Sequence, residues 1–124
     1  MKKNMEIIRD ILLELEASTE VKPEIKNQDS ELVRYNMALL IEAKLVDGTI
    51  SKGLSLSQAP MGVWLHKLTW EGHEFLDNLR EESVWNKIKD EFQDASLNTV
   101  TSVAKKLAEG YAKKKVEELL NEKP

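Results

Sequence analysis

The sequence predicts a mainly α-helical domain with one small β-hairpin, an α+β fold, from three observations. Five stretches repeat apolar residues every three or four positions, as amphipathic helices do. Residues 45–68 instead mix short apolar segments with turn-forming residues, which is typical of two strands and their connection. Between Trp64 and Arg80 the spacing then changes from that of a strand to that of a helix through Thr69, a residue suited to capping a helix.

The first two helices are predicted from their apolar faces. The first covers Met5–Glu16, and its predicted core residues are Met5, Ile8, Ile11, Leu12 and Leu15. The second begins at Asp29 or Ser30, either of which can cap it, and runs to about Ala43. Residues 17–28 between them contain Ser18, Thr19, Pro23 and Asn27, and are expected to form a connection.

The hairpin is predicted over Leu45–Leu68, with Trp64 and Leu68 on the same face of the second strand. A third helix follows Thr69. A fourth either continues the third after a bend or restarts at Ser83. A fifth ends the chain, so the sequence divides into a body of residues 1–94 and an amphipathic helix in residues 95–124, packed on the body or dimerising.

Composition limits the classes of protein to which the chain can belong. The chain has 124 residues, enough for one domain, and a formal net charge of −4 that gives no overall attraction to nucleic acid or anionic membrane. Zero cysteines exclude disulfides, thiolate metal sites and a cysteine nucleophile. With no apolar segment of signal-peptide or membrane-helix length, the protein is expected to be cytoplasmic, without a membrane partner.

The order helix, connection, helix, hairpin, helix resembles that of a winged-helix domain. Residues 33–46 resemble the recognition-helix segment of small bacterial winged-helix repressors, and Leu68-Thr69-Trp70-Glu71-Gly72 resembles the leucine-threonine-x-x-glycine element after the wing. Over most of its length the chain is similar to a small bacterial and phage family catalogued as domain of unknown function 2513. The resemblance implies a winged helix with a trimmed helix-turn-helix and a C-terminal helical extension. Lys44 stands where such repressors carry glycine, so the helix is expected to end differently.

A winged helix that binds duplex DNA would use its second helix and its hairpin. The resemblance therefore implies DNA contacts by three positions outside the predicted core stripe and by two lysines of the hairpin. These nucleic-acid-binding candidates are Arg34, Tyr35, Ala38, Lys52 and Lys67. The second helix has more acids than bases, however, so an alternative is that it faces solvent or a protein.

The last helix offers two different faces. Its lysines, at 105, 106, 113, 114 and 115, either bind phosphates or form an ordinary solvated helix back. Its apolar residues pack against the rest of the chain or against a second copy. The candidate dimer residues are Leu97, Val100, Ala104, Leu107 and Tyr111.

No catalytic, cofactor-binding or metal-binding residues are predicted. His66 and His73 have no third ligand and no nucleophile at a suitable spacing, so we expect no enzyme activity and no cofactor. Two functions stay open: a regulatory module that contacts duplex DNA, and a protein–protein interaction module that binds no nucleic acid.

Overall fold

The computed structural model describes residues 1–51 and 57–122 of the chain. Within them the fold is mainly helical with one two-stranded antiparallel hairpin, as predicted. The elements are α1 (Met5–Ala17), α2 (Glu31–Glu42), β1 (Val46–Ile50), β2 (Val63–Leu68), α3 (Trp70–Leu79), α4 (Glu82–Glu91) and α5 (Leu97–Leu120). The α1 helix lies centrally, because it contacts α2, β2, α3 and α4.

The first two helices begin at side-chain caps and are joined by a buried amide. Asn4 Oδ1 accepts from the Ile7 amide to cap α1, and Ser30 caps α2, which selects one of the two predicted capping residues. Asn36 of α2 is fully buried, and its Oδ1 accepts from the Asn4 amide at 2.8 Å. This hydrogen bond fixes the start of α1 against the middle of α2.

Two residues after α2, Lys44 adopts the left-handed conformation that usually belongs to glycine, with φ of 62°. The amide of Lys44 donates to the Ile41 carbonyl and that of Leu45 to the Leu40 carbonyl, both at 3.0 Å. These are the two bonds of a Schellman motif. The expectation that a non-glycine residue would change the helix end is therefore wrong, since the chain adopts this geometry despite its Cβ.

The start of α3 is attached directly to this motif. Thr69 caps α3 by accepting from the Gly72 amide, and its hydroxyl donates to the Lys44 carbonyl at 2.7 Å. A Cβ on Gly72 would overlap the carbonyl oxygen of Leu45. Threonine and glycine of the leucine-threonine-x-x-glycine element are thus both required for α3 to pack closely against the end of α2.

The hairpin contains a β-bulge that changes which residues are buried. Asp47 pairs with Lys67, but the next residue, Gly48, pairs with Leu65, so His66 is an extra residue in β2. Leu65 and Leu68 are consequently buried while Trp64 is half exposed. The prediction that Trp64 and Leu68 share one face is wrong, because the bulge shifts the alternation by one residue.

The α4 helix begins anew after α3, and α5 packs against both of them. Its contact side includes Val100 and Ala104, which have no exposed surface. From Ala112 onward, every described residue of α5 is exposed. The helix therefore has a docked first half and a second half that extends beyond the body.

Candidate interaction surface

Arg34, the strongest candidate for DNA contact, is bound to its own chain. Its Nε donates to the Pro60 carbonyl at 3.0 Å, and its Nη1 donates to the carbonyls of Gln28 and Asp29. Three of the five guanidinium N–H groups of Arg34 thus bind backbone carbonyls of its own chain. These bonds connect the segment between β1 and β2 to the segment just before α2. This geometry leaves Arg34 without the free fork that bidentate recognition of a base or phosphate needs.

The other predicted positions of α2 have different surroundings. Ala38 is only 7% exposed, so the prediction that it faces away from the core is wrong. Tyr35 is partly exposed and keeps some access to a partner. Two acids, Glu31 and Glu42, are exposed at the two ends of the helix. The accessible surface of α2 therefore carries negative charge, which opposes approach to a phosphate backbone.

The two lysines predicted on the hairpin do not form a basic patch with α2. Lys67 is exposed on β2, and its partner residue in the strand register is the acidic Asp47. Lys52 lies outside the described residues. The Thr49 hydroxyl lies 3.4 Å from His66 Nε2 on the exposed side of the hairpin. In the described part of the hairpin, the positive charge of Lys67 is thus balanced by a neighbouring acid.

The apolar residues proposed for dimerisation pack within one chain. Val100 and Ala104 are fully buried, and the partly buried members of the set contact the same core. Those partly buried residues are Leu97, Leu107 and Tyr111. This side of α5 is therefore not available to a second copy as long as the helix stays docked on α3 and α4.

A groove runs along the other flank of α5, between it and α3. Its first section has a volume of about 860 Å³, with Trp70, Glu71 and Glu74 of α3 on one side and Thr101, Lys105 and Ala112 of α5 on the other. A second section of about 580 Å³ continues toward the end of α5. Both sections share Asn78, Ala108 and Ala112, so together they form one continuous surface, here called the α3–α5 groove.

An exposed tryptophan lines the α3–α5 groove, and exposed apolar residues follow on the later turns of α5. Trp70, at the start of α3, is 72% exposed. Beyond Ala112, the exposed fractions are 52% for Val116, 50% for Leu119 and 79% for Leu120. Large apolar side chains collected along one surface in this way indicate an interaction site, whereas isolated ones do not.

The groups with shifted pKa values lie outside the groove. Burial lowers the pKa of the Lys3 ammonium, against the opposing effect of Asp94, and Lys3 Nζ donates to the Gln93 carbonyl at 2.6 Å. Hydrogen bonds to Glu16 and Asp77 raise the pKa of Arg80. Within residues 1–51 and 57–122, no three His, Asp or Glu side chains are grouped closely enough to hold a metal ion.

Sequence reasoning identified neither Asn36 nor Trp70 as a residue of interest. Asn36 stands among apolar residues of α2, and a polar residue inside a buried stripe signals a buried hydrogen bond. Trp70 directly follows the helix cap Thr69, and a residue at this position lies on the first, open turn of the helix. The signal at Asn36 does not identify its partner, the Asn4 amide, which lies 32 residues away in the sequence.

Comparison with known proteins places the chain in a family. Residues 2–98 match the family model described as "Hypothetical protein (DUF2513)". The chain is 34% identical over 114 residues to an uncharacterized protein of Haemophilus influenzae, an alignment that covers 88% of this chain and 93% of the relative. No solved structure matches significantly, so the winged-helix assignment stays a prediction. Among the described residues, no helix is both long and apolar enough to span a membrane. The chain belongs to the DUF2513 family of hypothetical proteins.

Proposed function

We propose that this chain is a non-enzymatic protein-interaction module and that the α3–α5 groove is its binding surface. One observation carries the proposal: the exposed Trp70 lines the groove, and the face of α5 that lines it continues along the helix to the exposed Val116 and Leu119. Tryptophan is enriched among residues that contribute most to protein interfaces, because it buries a large area with few rotatable bonds.

The polar residues of the groove support a protein partner. Its α3 side carries Glu71 and Glu74, while its α5 side carries both Lys105 and Glu109. A surface with three acids and one base matches a polypeptide carrying both charges better than it matches a uniformly negative nucleic acid. Small side chains at Ala108 and Ala112 leave room for a helix to approach α5 closely.

Site-specific photo-crosslinking tests the proposal. A photoreactive phenylalanine analogue replaces Trp70 in the full chain, and the same analogue replaces the exposed Lys22 as a control. We expect discrete crosslinked protein species at position 70, absent at position 22 and lost when Ala112→Arg fills the groove. Equal labelling at both positions, or labelling that is insensitive to Ala112→Arg, would overturn the groove as the binding surface.

Contact with duplex DNA is the second candidate function. It is favoured by the exposure of five lysines on α5, at 105, 106, 113, 114 and 115, together with Lys67 and the partly exposed Tyr35. Fluorescence anisotropy on a random duplex at low salt tests it. A regulatory DNA-binding module predicts salt-sensitive binding that is weakened by Lys67→Ala or by replacing Lys113, Lys114 and Lys115 with alanine. No retention of duplex at high protein concentration would exclude this candidate.

A further inference from the structure

The groove side of α5 and its exposed apolar end form one helix face. Residues 101, 105, 108, 109 and 112 line the groove. Steps of four and three from Ala112 lead to Val116 and Leu119, with Leu120 beside them. Over about 28 Å of the α5 axis, this face changes from mainly polar residues that line the groove to exposed apolar residues near the end of the helix.

One pair of opposite charges on α5 is symmetric about the middle of the helix. Taking the point between Tyr111 and Ala112 as a centre, Lys106 on one side is mirrored by Glu117 on the other. Their separation of eleven residues, about three helical turns, brings both to the same flank of α5. When two copies of such a helix lie antiparallel about a twofold axis at this centre, Lys106 of each copy meets the opposite charge of Glu117 on the other.

We propose that the partner in the α3–α5 groove is a second copy of this chain, with the two α5 helices antiparallel and crossing near Ala112. In this arrangement the apolar end of each copy occupies the groove of the other. Val116 packs near the partner's Ala108, and Leu119 and Leu120 reach the partner's Trp70. The dimer rests on the proposed function, because it names the protein that the same groove binds.

The arrangement accounts for features that an isolated chain leaves unexplained. It covers Trp70 in the groove and the exposed apolar residues near the end of α5, since α3 and α5 run in the same direction and the antiparallel partner brings its C-terminal end to Trp70. The small side chain of Ala112 lies at the crossing point, where two helices come closest. The stem of Lys105 can lie along the partner's Leu119 while its ammonium stays in solvent.

The mass of the full chain in solution tests the dimer. Light scattering is expected to move from 14.2 kDa toward twice that value as concentration rises. The double variant Val116→Asp, Leu120→Asp is expected to stay monomeric with an unchanged melting temperature, because both side chains are exposed in the monomer. A monomeric wild-type chain at about millimolar concentration, or a dimer that survives the double variant, overturns the proposal.

Charge reversal tests the antiparallel register. Lys106→Glu or Glu117→Lys alone is expected to weaken the dimer about tenfold, because each puts like charges together twice in a twofold dimer. Combining the two restores opposite charges and should restore the wild-type dissociation constant. Lys87→Glu on α4 makes the same charge change at an exposed position outside the groove and is the matched control. Failure of the double variant to recover contradicts this register.

A single cysteine tests the crossing point. Because the chain has no cysteine, Ala112→Cys introduces one thiol per copy, close to the twofold axis. Mild oxidation should link two copies rapidly, whereas Lys22→Cys should react only at the background rate. Crosslinks from position 70 to a different protein, combined with a monomeric chain, would reject the dimer and leave the protein-interaction function standing. Absence of any specific crosslink at position 70 would reject both.

Discussion

Arg34 donates a hydrogen bond from Nε to the carbonyl oxygen of Pro60, 26 residues further along the chain. With its bonds to the carbonyls of the adjacent Gln28 and Asp29, it ties two separate backbone segments to the start of α2. A residue that resembles a reader of DNA by its position is therefore part of the scaffold.

Replacing Arg34 with alanine is expected to lower the free energy of unfolding by about 2 kcal/mol, because charge-assisted hydrogen bonds to three carbonyls are lost. Urea unfolding measures the change. Lys67→Ala, which removes an exposed side chain, should change the free energy of unfolding by less than about 0.5 kcal/mol. Equal stability of the two variants would show that the Arg34 bonds contribute nothing to folding.

Patterns among residues close in sequence predicted the helices and the hairpin. The roles of individual residues depend instead on contacts between residues far apart in sequence. The caps at Ser30 and Thr69 and the apolar stripes of α1 and α2 involve residues a few positions apart, so the sequence reveals them directly. The partners of Arg34 and Asn36, and the bulge at His66, depend on segments brought together only by folding. The α3–α5 groove was not predicted because the regular apolar spacing of α5 belongs to the other face of the helix, which packs on the core.

The buried amide of Asn36 provides a second stability test. Asn36→Ala is expected to cost about 2 kcal/mol, because it leaves the Asn4 amide without its acceptor and opens a small cavity beneath α1. Asn98→Ala removes an exposed amide of α5 and should be nearly neutral. Amide hydrogen exchange adds a local readout, since protection of the first turn of α1 should fall in Asn36→Ala more than protection of α5.

The left-handed residue at the end of α2 predicts a stabilising substitution. Lys44→Gly removes a Cβ at φ of 62° and is expected to raise the free energy of unfolding by about 1 kcal/mol. The neighbouring Ala43 has the right-handed helical conformation, with φ of −77°. Ala43→Gly should therefore destabilise the chain by about 0.5 kcal/mol. If both substitutions destabilise equally, the motif at Lys44 is not formed in solution.

Two helical glycines are expected to respond to alanine in opposite directions. Gly72 lies against the carbonyl of Leu45, and a Cβ there would overlap that oxygen, which belongs to backbone and cannot rotate away. Gly72→Ala must move α3 away from the end of α2, which breaks the hydrogen bond from the Thr69 hydroxyl to the Lys44 carbonyl. It should therefore lower the free energy of unfolding by about 3 kcal/mol or more. At Gly110 an added Cβ meets nothing within 4 Å apart from its chain neighbours and the local helix backbone, so Gly110→Ala should stabilise α5 by up to about 1 kcal/mol through its higher helix propensity. Thermal unfolding of the two variants beside the wild type measures both effects, and a Gly72→Ala chain as stable as wild type would contradict the close packing of α3 on Leu45.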